Sequence, residues 1–142
     1  LESWISRDNL TYTRSLIADY SPYYQSGARL TFQPSERVSL GLHLMNGWQN
    51  ISNERDPALG TQLSYRPLPS TQLLYNTFLG NEAGTRFFNN LVAKHNVTDT
   101  LTCAASFDLG LQRREFERDT AVWHGWTIMS QYKINSNWRV AG

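Results

Sequence analysis

Segments in which apolar and polar residues alternate recur along this chain, and joints of varying length separate them. The clearest segment is 38–48, where Val38, Leu40, Leu42 and Leu44 alternate with small or polar residues. Successive side chains of a β-strand point to opposite faces, so each segment predicts a strand with one apolar and one polar face. The other strands are predicted at 24–33, 59–66, 72–79, 87–95, 101–109 and 122–133, with a last strand beginning at Trp138.

The joints alternate between short and long. The short joints, at 34–37, 67–70, 97–100 and 135–137, are rich in residue types that close hairpins. The longer joints lie at 49–57, 81–86 and 111–120. A transmembrane β-barrel has this organisation, with tight turns on one side of the membrane and longer loops on the other. We therefore predict an all-β fold in which about eight antiparallel, up-and-down strands form a segment of a larger transmembrane barrel.

Within the predicted strands, charge is confined to the polar faces. No Asp, Glu, Lys or Arg falls on a predicted apolar face, as expected where a lipid-facing charge costs about 2–4 kcal/mol. A soluble sandwich also keeps charge off its inner face. The polar faces here, however, hold mostly Ser, Thr, Gly, Gln and Asn, which suit a wet lumen better than an outer surface. Their charged residues are Arg29, Arg66, Lys94, Asp108, Lys133 and Arg139.

Aromatic residues gather toward the strand ends, where a membrane barrel carries its two interfacial girdles. One girdle is predicted near the short joints and the other near the long ones. The members near short joints are Phe32, Tyr65, Tyr132 and Trp138, and those near long joints are Tyr24, Trp48, Phe87 and Trp123.

Composition excludes several other classes. The net charge of +1 argues against a nucleic-acid surface. The sequence contains no run of eighteen apolar residues, so it predicts no membrane-spanning helix. The single Cys103 cannot form an internal disulfide, and one thiol with three scattered histidines predicts no metal site. No catalytic residues and no cofactor are predicted.

Residues 1–142 are predicted to be part of one barrel domain, with consecutive hairpins over 24–142. Within 1–20 two readings stay open: a short helix capped by Asp8 and ending before Ser21, or a strand plus loop. If this segment folds into the barrel, we expect Arg14 to be its contact with the lumen. The chain has no signal peptide at Leu1 and stops at Gly142 within a strand pattern, so we expect it to be an internal piece of a longer protein.

Several sequence stretches resemble the OmpL-like β-barrel porins of bacterial outer membranes. No single stretch is specific, but their order and spacing match the family over nearly the whole chain. The resemblance implies a barrel with more strands than these eight, located in the bacterial outer membrane, and it transfers no catalytic residue. The stretches are Tyr-Thr-Arg-Ser-Leu at 12–16, Ser-Pro-Tyr-Tyr-Gln-Ser-Gly at 21–27, Asn-Gly-Trp-Gln-Asn at 46–50, Leu-Gly-Asn-Glu at 79–82 and Trp-His-Gly at 123–125.

The function predicted on this basis is a porin-like channel, embedded in outer-membrane lipid, for passive diffusion of small hydrophilic solutes. The excess of basic residues on the polar face predicts a preference for anions. Two alternatives stay open: a soluble eight-stranded, lipocalin-like barrel with its apolar face turned inward around a ligand, and a non-conducting structural or adhesive barrel. The residues predicted to line the pore are Arg29, His43, Gln62, Ser64, Arg66, Asn76, Asn90, Lys94 and Asp108.

Overall fold

The chain forms one antiparallel sheet of eight strands in the order β1-β2-β3-β4-β5-β6-β7-β8, so each strand pairs with its neighbour in sequence. The computed structural model describes residues 9–11, 15–51, 56–113 and 119–142. A short 3-10 helix, Leu16–Tyr20, precedes the sheet. The strands are β1 Gly27–Ser35, β2 Val38–Met45, β3 Ala58–Leu68, β4 Thr71–Asn81, β5 Thr85–Asn96, β6 Leu101–Arg113, β7 Thr120–Lys133 and β8 Arg139–Ala141.

The predicted all-β, up-and-down architecture is confirmed, and the strands are long enough for the environment it implies. Strands β3 to β7 contain between 11 and 14 residues, whereas about 9–11 residues suffice for a tilted strand to cross a bilayer. Among the described residues no helix is long and apolar enough to span a membrane.

The joint predicted at 81–86 is shorter than expected. Strand β4 continues to Asn81 and β5 begins at Thr85, which leaves only residues 82–84 between them. Ala83 and Gly84 close this turn with φ angles of 54° and 120°, and the Asn81 side chain accepts a 2.9 Å hydrogen bond from the Gly84 backbone N–H. The loop lengths therefore do not alternate as regularly as the sequence suggested.

The sheet is open within the described residues. Strand β1 pairs with β2 and strand β8 with β7, and no pairing joins β1 to β8 in this part of the chain. The described strands thus form an open sheet whose two edge strands, β1 and β8, each pair on one side only.

Strand register divides the side chains between two faces. One row of paired residues runs Leu40, Leu63, Tyr75, Leu91, Phe107 and Trp126 across β2 to β7. The row one residue away runs Gly41, Gln62, Asn76, Asn90, Asp108 and Gly125. Because successive residues point to opposite faces, these rows define what we call the apolar face and the polar face.

The polar face is the buried one. Asn76 and Asn90 are each 2% exposed and Asp108 is 3% exposed, whereas Leu42 is 52%, Leu91 49% and Trp126 69% exposed. A water-soluble domain shows the opposite order, because burial of apolar surface drives its folding. This sheet therefore presents a broad apolar surface outward and packs its polar side chains against one another.

Candidate functional site

The residues predicted to line a pore are all placed on the polar face. Gln62, Asn76, Asn90 and Asp108 share one row across β3 to β6. Arg29 pairs with His43 on β1 and β2. The other three lie closer to the turns that follow β1, β3 and β5, which we call the short-turn end: Ser64, Arg66 and Lys94.

A continuous chain of side-chain hydrogen bonds, the amide ladder, crosses this face. Arg29 Nη2 donates to Gln62 Oε1 at 2.7 Å, and Gln62 Nε2 donates to Asn76 Oδ1 at 2.8 Å. Asn76 Nδ2 then donates to Asn90 Oδ1 at 2.8 Å, and Asn90 Nδ2 donates to Asp108 Oδ1 at 2.6 Å. Each amide accepts on the β1 side and donates on the β6 side. The ladder therefore runs in one direction, from a cation to a carboxylate.

The charged end at Arg29 determines this direction. A guanidinium can only donate, so Gln62 must present its oxygen to Arg29 and its NH₂ group to Asn76. Asn76 and Asn90 then each have one consistent orientation, which directs the NH₂ group of Asn90 to Asp108. Hydrogen bonds to charged groups contribute about 1.5–3 kcal/mol each, against about 1 kcal/mol for neutral pairs, so the bond from Arg29 is expected to stabilise the ladder more than the bonds between amides.

Gly41 allows Arg29 to reach the ladder across β2. Gly41 pairs with Gln62 in the register, and a Cβ at this position would lie 3.3 Å from Gln62 Cβ and 3.6 Å from Arg29 Nε. A larger side chain would occupy the space between the guanidinium and the amide. Arg29 Nε also donates to Thr31 Oγ1 at 3.1 Å, which holds the side chain along the sheet.

An aromatic cluster fills the opposite, long-loop end of the polar face. The Trp48 ring meets Phe78 and Phe88 edge-on, at centroid distances of 4.9 and 5.1 Å. Trp123 stacks on Phe88 at 6.4 Å and lies over Gly110, where an added Cβ would come within 2.0 Å of the indole. The cluster, together with Met45 and Ala58, is the apolar core of the sheet.

Arg86 is held within this cluster. Its guanidinium lies 4.9 Å from the Trp48 ring centroid and 5.8 Å from that of Trp123, distances at which a cation is attracted to a ring face. Gln112 Oε1 accepts from Arg86 Nε at 3.0 Å and from Nη2 at 2.6 Å. Gln112 Nε2 in turn donates to the Glu82 carbonyl. The sequence prediction missed Arg86 because it placed this residue in a loop.

The aromatic cluster shows that the girdle prediction was wrong for two residues, Trp48 and Trp123. Trp48 is only 8% exposed, and Gly47, with φ of 115°, lets the chain turn Trp48 back over the polar face. Its backbone N–H donates to Glu82 Oε1 at 2.6 Å. Trp123 is likewise packed on the core and not at an outer interface. The other predicted girdle residues with described exposure lie on the surface: Phe32, Tyr65, Tyr132, Trp138, Tyr24 and Phe87.

The segment before β1 lies against the polar face of β7. The Leu10 carbonyl accepts a 2.7 Å hydrogen bond from Gln131 Nε2, and Thr11 Oγ1 lies 3.6 Å from Met129 Sδ. Further along the strand, Ile17 packs beside Gly125. Residues 9–11 and 15–20 thus occupy space on the polar face. Asp8 and Arg14, on which the predictions for this segment depended, lie outside the described residues.

Two adjoining clefts at the short-turn end are lined by four basic residues, and we call them the basic clefts. The first, about 330 Å³ in volume, is lined by Arg29, Arg37 and Arg66 together with Glu36 and polar side chains. The second, about 220 Å³, is lined by Arg66 and Lys94 with Ser, Thr, Gln and Asn residues. Arg66 and Gln72 line both. A separate cavity of about 480 Å³ lies between the 3-10 helix and β7, with Asp108 in its wall.

The described residues contain no group of His, Cys, Asp or Glu that could hold a metal ion. The polar face offers hydrogen bonding and charge, with neutral amides and hydroxyls at its centre and cations at its short-turn end.

Comparison with known proteins identifies a family. The model of the family described as "putative beta-barrel porin-2, OmpL-like" matches residues 1–142, which is the whole chain. Searches of the curated proteins and of the solved structures found no significant match. Because the family match covers every residue and agrees with the open sheet of antiparallel strands, the chain belongs to the OmpL-like β-barrel porin family.

Proposed function

We propose that this chain is part of the wall of a bacterial outer-membrane channel through which small hydrophilic solutes diffuse passively. Family membership gives the general role of a porin-type barrel. The observation that carries the finer proposal is the order of burial, in which the polar row is enclosed and the apolar row is exposed. A barrel in lipid needs an apolar outer surface and can keep polar groups only where they face protein or water.

The proposed lipid-facing surface is suited to that environment. Four of its polar side chains pair with one another: Thr61 Oγ1 and Thr77 Oγ1 lie 2.7 Å apart, and Tyr75 Oη donates to Asn89 Oδ1 at 2.5 Å. An unpaired hydroxyl or amide costs roughly 2–7 kcal/mol in an apolar medium. The pairings thus reduce the cost of exposing these groups to lipid.

The soluble, lipocalin-like alternative requires the reverse arrangement. Such a barrel closes on itself and encloses its apolar face, whereas here the apolar face is exposed and the described strands leave both sheet edges unpaired. A porin wall with further strands beyond β1 and β8 accounts for both features. The channel is proposed to be non-enzymatic.

The test is single-channel recording with the full-length protein in a planar bilayer. We expect discrete steps of conductance from channels that stay open without added ligand, as passive diffusion requires. A barrel that inserts and folds but conducts no ions would contradict the channel proposal and support a structural or adhesive role. A full-length protein that stays folded and monomeric in detergent-free buffer would contradict membrane insertion itself.

A further inference from the structure

We propose that the two basic clefts form one binding site for small oxyanions, with Arg66 as the residue shared between its halves. This inference deepens the proposed channel function, because it names a solute class and a place on the wall where that class would bind. Its ligands are solutes that carry a carboxylate or phosphate group.

The charge balance of the clefts favours an anion. Arg29, Arg37 and Arg66 line the first cleft and Lys94 the second, and among the described residues Glu36 contributes the one carboxylate that lines either. Around these cations stand neutral groups able to donate hydrogen bonds, from Ser, Thr, Gln and Asn side chains. A guanidinium fork matches the geometry of carboxylate and phosphate oxygens, and charge-assisted bonds of this kind are about twice as strong as neutral ones.

The amide ladder holds one of these cations in place. Arg29 donates to the neutral oxygens of Thr31 and Gln62, which position the guanidinium without cancelling its charge. The carboxylate that ends the ladder, Asp108, is separated from Arg29 by three intervening amides on β3, β4 and β5. The fold thus keeps the buried acidic residue on one part of the polar face and the basic clefts on another.

Backbone geometry joins the two clefts. The Arg66 N–H donates to the Arg37 carbonyl at 2.8 Å, which links β3 to the turn after β1. The register of the β3–β4 pair shifts between Tyr65 and Leu68, next to Arg66. Gln72 pairs with Lys94 on β4 and β5. Arg66 thereby lies between the two groups of cations, and its removal should weaken both halves.

Lys133 provides a matched control. It is the last residue of β7 and belongs to the polar face at the same, short-turn end, but it lines neither basic cleft. Lys133→Gln and Lys94→Gln remove the same charge by the same substitution. A general excess of positive potential would respond to both changes, whereas a localised site responds to only one.

The first experiment measures binding without relying on conduction. Inorganic phosphate and acetate are titrated separately into the full-length protein in detergent micelles, and the heat of binding is recorded. We expect at least one of them to bind, with affinity reduced about fivefold or more by Arg66→Gln or Lys94→Gln and unchanged by Lys133→Gln. The anion that binds more tightly shows whether the site prefers phosphate or carboxylate groups. Binding of neither, or equal weakening by all three substitutions, would overturn the proposal.

The second experiment measures selectivity in the planar bilayer. Across a KCl gradient we expect a reversal potential that indicates preference for chloride, and a permeability ratio that falls about twofold or more in Arg66→Gln. Cation preference in the wild type would overturn the inference while leaving a conducting channel. Absence of conductance with intact anion binding would instead contradict the channel function alone. Folded fractions are compared by the gel mobility of unheated samples, so that a misfolded variant is not scored.

Discussion

Two rows of side chains, one residue apart along the strands, have opposite surroundings. Gln62, Asn76, Asn90 and Asp108 form a hydrogen-bonded row, in which Asn76, Asn90 and Asp108 are buried and Gln62 is half-buried. Their sequence neighbours Leu63, Tyr75, Leu91 and Phe107 form a row exposed on the other side of the sheet. The two rows share the same strands, so the difference comes from their side chains and from the residues that pack over the polar face. One face of the sheet is thus held together by polar contacts, whereas the other leaves its apolar side chains exposed.

The largest expected effect comes from placing a charge on the exposed row. Leu63→Arg is expected to destabilise the assembled barrel by about 2–4 kcal/mol, because the guanidinium would face lipid near the middle of β3. Leu42→Arg should act similarly. The fraction of folded protein in liposomes, followed by urea titration, measures the loss.

Ser64→Arg and Ser39→Arg are the controls for this prediction. Both serines lie on the polar face and line the first basic cleft, where an added arginine can reach water. We expect both variants to assemble. If these substitutions prevent assembly while Leu63→Arg is tolerated, the assignment of the two faces is reversed.

A smaller effect is expected from breaking the amide ladder at its centre. Asn90→Leu keeps a similar volume, but it takes one hydrogen bond each from Asn76 Nδ2 and Asp108 Oδ1. Losing a partner inside a buried site costs about 1–3 kcal/mol. Denaturant unfolding in micelles, followed by tryptophan fluorescence, should show that the free energy of unfolding falls by this amount.

Asn89 supplies the matched comparison, since it is the next residue and lies on the apolar face. Its partner there is Tyr75. The double change Asn89→Leu with Tyr75→Phe removes the donor and the acceptor together. We therefore expect the free energy of unfolding to change by less than about 1 kcal/mol. Equal losses from Asn90→Leu and from this pair would mean that the two rows share one environment.

The smallest effect is expected at Thr61. Thr61→Val loses the hydroxyl contact to Thr77 but gains apolar surface toward lipid, and these terms should offset each other to within about 1 kcal/mol. The same unfolding assay applied to Gln62→Leu should report a larger loss, because Gln62 bonds to both Arg29 and Asn76. A greater loss at Thr61 than at Gln62 would contradict the assignment of environments.

Alternation made the two faces readable from sequence. A period of two fixes which residues share a face even when strand ends are uncertain. This is why Gln62, Asn76, Asn90 and Asp108 could be placed together beforehand, and why Leu63 and Leu91 could be placed opposite them. The hairpin order followed from the short joints, and the register then brought the predicted neighbours into contact.

The alternation of apolar and polar residues could not predict contacts between residues that are far apart in sequence. Trp48 leaves the pattern because Gly47 has a positive φ, a property that depends on backbone geometry. The stacking of Trp123 over Gly110 requires the β6–β7 register. The path of Arg29 across Gly41 to Gln62 likewise spans three strands. Such features combine residues far apart in sequence, and a local period carries no information about them.

The central claim, that neighbouring residues of one strand face lipid and water in turn, can be measured directly. Spin labels are attached one at a time to cysteines at 61, 62, 63 and 64 of the full-length protein, with Cys103→Ser, and the protein is reconstituted in liposomes. Collisions with oxygen report lipid, and collisions with a water-soluble nickel chelate report the aqueous lumen. We expect oxygen to dominate at 61 and 63 and nickel at 62 and 64, as strand geometry requires. The opposite phase, or the same accessibility at all of these positions, would contradict the account.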